Sequence, residues 1–303
     1  MQWQWEGCGV ACCLFVWATA VYVEYVVLVW FVLPVFESIA WRVVHATLFT
    51  ALNALVVSAH LRTTFTDPGV VVDRPRPQLD RRKLSDDEEQ SSPSLEAGAR
   101  GPPALFADLL PEEWTLCGRC ELYRPPRAHH CRVCRRCIRK MDHHCPWINN
   151  CVGERNQKHF LQFVAYCAAL AAYALLLLAY AWLTDDSDCA LPYNYRFCRN
   201  PAPQAKVLHS LSVGLLSTLF LLFVVAVFCD QMQAVLSDAT AVEKVQGGAS
   251  APNRRRRSKR QLLKDVCGPG PAWLWLLPCV GLPEPTHRVG GRPSSSETDP
   301  PDV

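Results

Sequence analysis

Net charge is the first property that this 303-residue sequence lacks. Its 31 Lys and Arg nearly balance its 28 Asp and Glu, which leaves a formal charge of +3 at pH 7. Proteins that bind nucleic acid usually concentrate positive charge on one face. The small and scattered excess here predicts no nucleic-acid partner. A hydrophobic content of 50% would fit one or two globular domains, but the arrangement of the apolar residues points to the lipid bilayer.

Charged side chains are also scarce within four long apolar stretches. These stretches are residues 10–33, 42–61, 160–183 and 207–229. Each has the roughly 20 residues with which a helix crosses a hydrocarbon core of about 30 Å. We therefore predict an α-helical integral membrane protein with four transmembrane helices. Glu24, Arg42, His45 and Asn53 interrupt the first two stretches, so these polar groups are expected to face protein or an interface.

Positive charge is absent from residues 1–9, and its distribution elsewhere predicts the orientation. A signal peptide normally begins with basic residues and has a shorter apolar run, so the first stretch is interpreted as a retained span. Residues 62–159 and 231–303 hold 27 of the 31 Lys and Arg. The positive-inside rule places both segments in the cytosol, and an even number of spans then leaves both termini there.

This orientation predicts the organisation of the whole chain. Besides the four spans, the predicted parts are a cytosolic N-terminus (1–9), a cytosolic linker with an Asp-Pro-Gly motif (62–116), a cysteine-rich zinc domain (117–159), a lumenal loop (184–206) and a cytosolic tail with a polybasic block (230–303). The linker is rich in Pro, Ser and charges of both signs, as flexible segments usually are.

The 16 cysteines are unevenly spread, with seven between residues 117 and 151. That segment lies on the predicted reducing side, where cysteines favour metal binding over disulfides. It is also poor in aliphatic residues, so apolar burial alone cannot hold it together. Cys189 and Cys198 fall in the predicted lumenal loop, and spacing alone leaves open whether they form a disulfide.

The cysteine-rich segment has the ligand spacing of a zinc protein. Its ligand-type residues are Cys117, Cys120, His130, Cys131, Cys134, Cys137, Asp142, His143, His144, Cys145 and Cys151. Two closely spaced C-x2-C pairs are a strong signal for zinc, which takes thiolate and imidazole ligands in a closed tetrahedral structural site. Two such sites need eight ligands, and this stretch offers seven cysteines and four histidines, so at least one thiol can remain free, although spacing does not say which.

Cys145 is the candidate for the free thiol, because Asp142 and His143 precede it. An imidazole oriented by a carboxylate can accept the proton of a thiol and deliver a thiolate nucleophile. From these residues alone, the alternative that Cys145 is another zinc ligand or a buried thiol stays open.

The segment CGRCELYRPPRAHHCRVCRRCIRKMDHHCPWINNCVG resembles the cysteine-rich domain of the DHHC palmitoyltransferases over its whole length. Asp67-Pro68-Gly69 lies where that family has the same motif, and residues 240–243 (Thr-Ala-Val-Glu) are similar to its TTxE motif, with Ala241 as a departure. The N-terminal GCGVACCLFVW and the NQKHF before the third span resemble the Golgi-type subgroup. Golgi membranes are therefore the expected location, with the endoplasmic reticulum or plasma membrane as alternatives.

The resemblance implies a function and specific roles for these residues. It implies a protein S-acyltransferase that takes a fatty acyl group, palmitoyl above all, from acyl-CoA onto Cys145 and passes it to cysteines of membrane-associated proteins. His143 would be the general base and Asp142 its polarising partner. Two structural zinc ions would be held by Cys117, Cys120, His130 and Cys137 and by Cys131, Cys134, His144 and Cys151. A catalytically silent membrane-anchored zinc scaffold is the competing hypothesis, although it would need neither Cys145 nor His143.

Substrate contacts follow from the same interpretation. The acyl chain is expected among the four spans beneath Cys145, with Trp147 as a roof and Leu170 as a limit on chain length. Arg124, Arg127 and His129 are candidates for the phosphates of CoA. Ordinary helix packing for Leu170 and solvated basic side chains for the other three are the plainer alternatives.

Overall fold

A computed structural model describes residues 6–72, 114–184, 203–246 and 257–277. Its four long helices are α1 (Gly7–Val26, continued by a π-helical stretch, Val27–Val32), α2 (Ile39–Phe65), α3 (Gln157–Leu183) and α4 (Pro203–Ser237). All four are long and apolar enough to cross a membrane. The predicted fold class is thus confirmed, and the chain is a multi-pass membrane protein.

The helices begin three or four residues before the predicted apolar stretches. At the start of α3, Gln157, Lys158 and His159 are polar yet buried, at 4%, 2% and 3% exposure. Because hydropathy detects only the part of a helix that suits lipid, it misses a helical turn that packs against protein. The first turn of α3 is therefore covered by protein and not by lipid.

Polar groups inside the spans pair with one another, as expected. The Glu24 carboxylate on α1 accepts a hydrogen bond from the Asn53 amide on α2 at 3.0 Å. His45 on α2 is hydrogen-bonded to the Tyr173 hydroxyl on α3 at 2.6 Å. An unpaired polar group in hydrocarbon costs free energy, so these pairs also fix how the helices sit against one another. α3 lies centrally, packed along its length against α2 and α4.

Between α2 and α3 the described chain forms three two-stranded antiparallel hairpins. The pairs are β1 (Thr115–Cys117) with β2 (Leu122–Arg124), β3 (His129–Cys131) with β4 (Arg136–Ile138), and β5 (His143–Cys145) with β6 (Asn150–Val152). Strands of three residues bury too little to be stable alone. Something besides strand pairing must therefore hold the hairpins together.

After α4 the described residues form three short helices, α5 (Ala241–Val245), α6 (Lys259–Cys267) and α7 (Ala272–Trp275). α6 buries Leu262 and Val266, the latter in a cluster with Leu161 of α3. The Gln162 amide donates to the carbonyls of Trp275 and Leu277 at 2.8 and 3.1 Å. The tail is thereby docked on the first turns of α3.

The predicted linker after residue 72, the polybasic residues before Arg257, and Cys189 and Cys198 lie outside the described residues.

Candidate active site and metal centres

The hairpins bring eight ligand side chains into two groups of four. The first group is Cys117, Cys120, His130 and Cys137, and the second is Cys131, Cys134, His144 and Cys151. Within each group the ligand atoms all lie within 4.8 Å of one another. These are the two sets that the resemblance implied.

Strand geometry explains why the two sets interleave. Successive side chains of a strand point to opposite faces. On β3, His130 therefore turns to the first group and Cys131 to the second. Each histidine pairs directly across its hairpin with a cysteine of the same group, His130 with Cys137 and His144 with Cys151.

The two groups fit zinc. Tetrahedral zinc at the usual bond lengths separates two thiolates by about 3.8 Å and a thiolate from an imidazole nitrogen by about 3.6 Å. Here the sulfurs of Cys120 and Cys137 are 3.8 Å apart and those of Cys134 and Cys151 are 3.5 Å apart. Nδ1 of His144 lies 3.4 Å from the Cys134 sulfur. Three thiolates and one imidazole in each group suit two structural zinc ions, which would bind the hairpins into one domain.

The same alternation separates the catalytic candidates from the metal ligands. On β5, His144 faces the second group, so His143 and Cys145 point to the opposite side. Nδ1–H of His143 donates to Oδ2 of Asp142 at 2.8 Å. Because a carboxylate only accepts, this bond leaves the other ring nitrogen for the thiol. The nearby Cys145 sulfur is one of the groups that raise the pKa of His143.

Burial and hydrogen bonds have opposite effects on the pKa values of Asp142 and His143. Burial alone would raise the pKa of Asp142, but hydrogen bonds from His143, the N–H of Ala241 and the Gln231 amide hold that pKa below its ordinary range. Burial opposes the protonation of His143, yet its hydrogen bond to Asp142 and the nearby Cys145 sulfur raise its pKa to about 9. The imidazole therefore favours its protonated form beside the sulfur and the carboxylate.

Asp142 is only 1% exposed, and three groups hold it in place. Besides His143, the Gln231 amide on α4 donates to Oδ2 at 2.7 Å, and the N–H of Ala241 donates to Oδ1 at 2.8 Å. The TTxE-like segment thus acts through its main chain, which alanine supplies as well as threonine. Sequence reasoning missed Gln231, which lies 89 residues from Asp142 and just beyond the predicted fourth span.

The turn that carries Ala241 is itself held by a capping box. The Thr240 hydroxyl accepts from the N–H of Glu243, while the Glu243 carboxylate accepts from the N–H of Thr240. Arg127 donates to Glu243 at 2.7 Å and to Asp238 at 2.8 Å. Arg127 therefore ties the hairpins to the end of α4.

Side-chain amides attach the β5–β6 hairpin to α2. Asn150, which pairs with Cys145, donates to the carbonyls of Thr64 and Thr66, both at 3.0 Å. Asn156 donates to the carbonyl of Cys151 at 2.8 Å and accepts from the N–H of Gly153. The contacts of Asn150 span 86 and 84 residues, so the sequence carried no separate signal for them.

Cys145 opens onto a cavity of about 370 Å³ among the four long helices. Its lining is almost wholly apolar and includes Val16, Val23, Phe163, Leu170, Val224 and Val227. Trp147, two residues after Cys145, lines the cavity. Leu170, farther along α3, also lines it. A site for a long apolar chain therefore begins at the candidate nucleophile.

A second cavity of about 360 Å³ lies beside the first metal group. Arg124 and His129 line it together with Arg119 and Arg132. Arg127 is not among its lining residues and lies instead in the ion pairs with Asp238 and Glu243. The proposed contacts of Arg124, Arg127 and His129 with CoA stay predictions.

A thiol held by an imidazole–carboxylate pair above a lipid-sized cavity defines a membrane-embedded, zinc-stabilised acyl-transfer protein. Comparison with known sequences identifies the family. The model of the DHHC palmitoyltransferase family matches residues 111–248. Mouse (Mus musculus) palmitoyltransferase ZDHHC7 is 34% identical over 277 residues, covering 91% of this chain and 80% of the relative.

Two further relatives agree. Human (Homo sapiens) palmitoyltransferase ZDHHC3 is 32% identical over 79% of this chain and 71% of its own length. A probable protein S-acyltransferase 12 from Arabidopsis thaliana is 31% identical over 76% of this chain and 71% of its own length. This chain belongs to the DHHC palmitoyltransferase family. It is a protein S-palmitoyltransferase that uses acyl-CoA as co-substrate and proteins as acceptors.

Proposed function

We propose that Cys145 carries the acyl group, that His143 exchanges protons with its sulfur and that Asp142 orients His143. The observation that carries this proposal is the position of Cys145, which lies on the same face of β5 as His143 and lines the apolar cavity together with it. Asp142 fixes the imidazole through Nδ1, which leaves Nε2 to exchange a proton with sulfur.

The reaction runs in two steps. In the first, His143 takes the proton of Cys145, and the thiolate attacks the carbonyl carbon of acyl-CoA. The carbon–sulfur bond to CoA breaks, and the CoA thiolate leaves with the proton from His143. In the second, an acceptor cysteine gives its proton to His143 and attacks the acyl carbon, which frees Cys145. Each step replaces one thioester by another, so neither needs an external energy source.

The cavity would hold the acyl chain while the thioester exists. Each buried CH₂ contributes about 0.8 kcal/mol, so a long chain is strongly favoured in an apolar cavity over water. Trp147 would lie beside the thioester, and Phe160 packs edge-on to His143 at 5.3 Å. Water excluded from this region cannot hydrolyse the thioester.

The residues that hold zinc would act structurally. The second group takes His144 from β5 and Cys151 from β6, on either side of the turn after Cys145. Zinc there would fix the hairpin that presents the thiol, and with four protein ligands it leaves no open position for substrate.

Arg124 and His129 are proposed to meet CoA phosphates in the second cavity, and Arg127 to support that wall through its ion pairs. The hairpin end is proposed to face the cytosol, where acyl-CoA and the cysteines of membrane-associated acceptors meet the bilayer. Golgi membranes are the proposed location, supported by the N-terminal resemblance described above.

The proposal is tested by mapping the acyl group in time. Zinc-loaded protein is mixed with labelled palmitoyl-CoA, stopped at short intervals and digested for mass spectrometry, with a cysteine peptide added as acceptor. The label should appear first on the Cys145 peptide, be released by hydroxylamine, and then move to the acceptor. Label that reaches the acceptor without ever appearing on Cys145 would contradict a covalent intermediate there.

Leu170 is proposed to limit chain length. It lines the cavity about 15 Å along α3 from Phe160, at 1.5 Å per residue. Leu170→Ala should shift preference towards chains longer than palmitoyl, by up to about fourfold per added methylene. Competition between acyl-CoAs of different length measures the shift. Leu176→Ala, on the same helix with Leu176 67% exposed and outside the cavity, is the matched control and should leave the profile unchanged. A Leu170→Ala profile equal to that of wild type would assign Leu170 to packing alone.

A further inference from the structure

His60 is a buried titratable residue that the proposed reaction does not use. It lies on α2, five residues before the helix ends, and is 0% exposed. It is not among the residues that line the acyl cavity. A buried imidazole is costly unless both ring nitrogens have partners, so those partners indicate its role.

Both nitrogens of His60 have partners, and together they fix its tautomer. The indole N–H of Trp17 lies 3.1 Å from Nδ1 of His60. Because an indole nitrogen only donates, Nδ1 must accept and carry no proton. Nε2 of the neutral ring therefore carries the hydrogen and donates to the main-chain carbonyl of Trp147 at 2.9 Å.

That carbonyl belongs to the turn that follows the nucleophile. Cys145 precedes a single 3₁₀ turn, Pro146–Ile148, with Trp147 at its centre. The Cys13 thiol on α1 lies 3.6 Å from the same oxygen, as a second and weaker donor. The Trp147 ring faces Phe220 and Phe223 of α4 at 6.3 Å. The position of Trp147 thus depends on its main chain being held from the α2 side.

His60 also connects the helices around the cavity. Trp17 reaches it from α1, and the Phe163 ring of α3 packs edge-on to it at 5.1 Å. Phe163 and Trp147 both line the cavity. His60 therefore holds the nucleophile turn by a hydrogen bond and touches the cavity wall through a ring contact.

We propose that His60 is a positioning residue for acyl transfer, which holds the carbonyl of Trp147 and so fixes the Cys145 turn over the cavity. It is not a proton acceptor for Cys145, because its two nitrogens are already engaged by Trp17 and Trp147. This inference rests on the proposed role of Cys145.

The test compares two replacements of His60 in the full-length, zinc-loaded protein. His60→Leu keeps the bulk and removes both hydrogen bonds. His60→Gln keeps an N–H donor near the position of Nε2. We expect His60→Leu to lower kcat for Cys145 acylation by on the order of tenfold or more, with KM for palmitoyl-CoA changed much less, because the chain still binds but the turn is misplaced. His60→Gln should restore the rate to within about threefold of wild type.

Trp17→Phe supplies an independent check through the tautomer. Without the indole donor, Nδ1 can hold the proton, and Nε2 then turns a lone pair to the Trp147 carbonyl. The rate should fall to an intermediate value. Leu48→Ala is the control, since Leu48 is on the same helix about 18 Å away at 1.5 Å per residue, is 48% exposed and does not line the cavity, and this variant should acylate at the wild-type rate.

Zinc content and thermal unfolding are measured for every variant. If His60→Leu acylates like wild type, or if His60→Gln and Trp17→Phe do not fall in the expected order, the positioning role is wrong. Should His60→Leu lose zinc, the folded His60→Gln and Trp17→Phe variants still decide the question. Failure of wild type to acylate Cys145 at all would contradict the proposed function instead.

Discussion

Cys145→Ser is expected to abolish acyl transfer, with a loss on the order of a thousandfold or more. Serine has nearly the same size, so the zinc groups, the cavity and the His143–Asp142 pair should persist. Its hydroxyl has a much higher pKa than a thiol, and the proposed nucleophile is the thiolate. The measurement is hydroxylamine-labile label from palmitoyl-CoA on the purified variant, together with its zinc content.

A matched variant separates the role of this thiol from a general effect of losing a cysteine. Cys229 is an exposed cysteine on α4 that lines neither cavity and ligates neither metal group. Cys229→Ser should label like wild type. Hydroxylamine-labile label that persists on zinc-replete Cys145→Ser would move the acyl carrier to another cysteine.

Loss of the second zinc site is expected to have a comparably large effect. Structural zinc contributes about 10–16 kcal/mol to the folding of small domains, and these three-residue strands have little else to hold them. Cys134→Ser removes one thiolate from the group that includes His144, the residue before Cys145. Bound zinc should fall from two ions to about one or fewer per chain, and transfer should fall by on the order of a hundredfold or more.

Zinc per chain by mass spectrometry and the rate of Cys145 acylation check this prediction, again beside Cys229→Ser. Cys134→Ser protein that keeps both ions would refute the assignment of Cys134 as a ligand. Acylation at the wild-type rate after zinc is lost would show that β5 is held in some other way.

The four spans follow from apolar runs and could be predicted from the sequence itself. Cysteine spacing predicted zinc binding but left the grouping of the ligands open, and the two sets that the structure brings together are those that the family resemblance implied. Helix ends were harder to predict, because the first turn of α3 is polar and is covered by protein. Hydropathy cannot distinguish that turn from a loop.

The supports of the site come from distant parts of the chain and could not be predicted. Gln231 meets Asp142 across 89 residues, and His60 meets Trp147 across 87. Neither belongs to a motif, and each is one polar residue near the end of an apolar helix. Ala241 shows the converse, since its departure from the TTxE pattern does not affect a contact made by the main chain.

Because side chains alternate along β5, the direction of each one depends on its position in the strand. His143, His144 and Cys145 face, in turn, the acyl side, the second group of metal ligands and the acyl side again. A substitution therefore alters either acyl transfer or metal binding, whereas a one-residue deletion would reverse the direction of the side chains. Such a deletion would turn the thiol towards zinc and the zinc ligand towards the acyl chain. In β5 the number of residues is therefore a stricter requirement than their identity. Variants with a substitution there can keep partial activity, whereas variants with a deletion should have none.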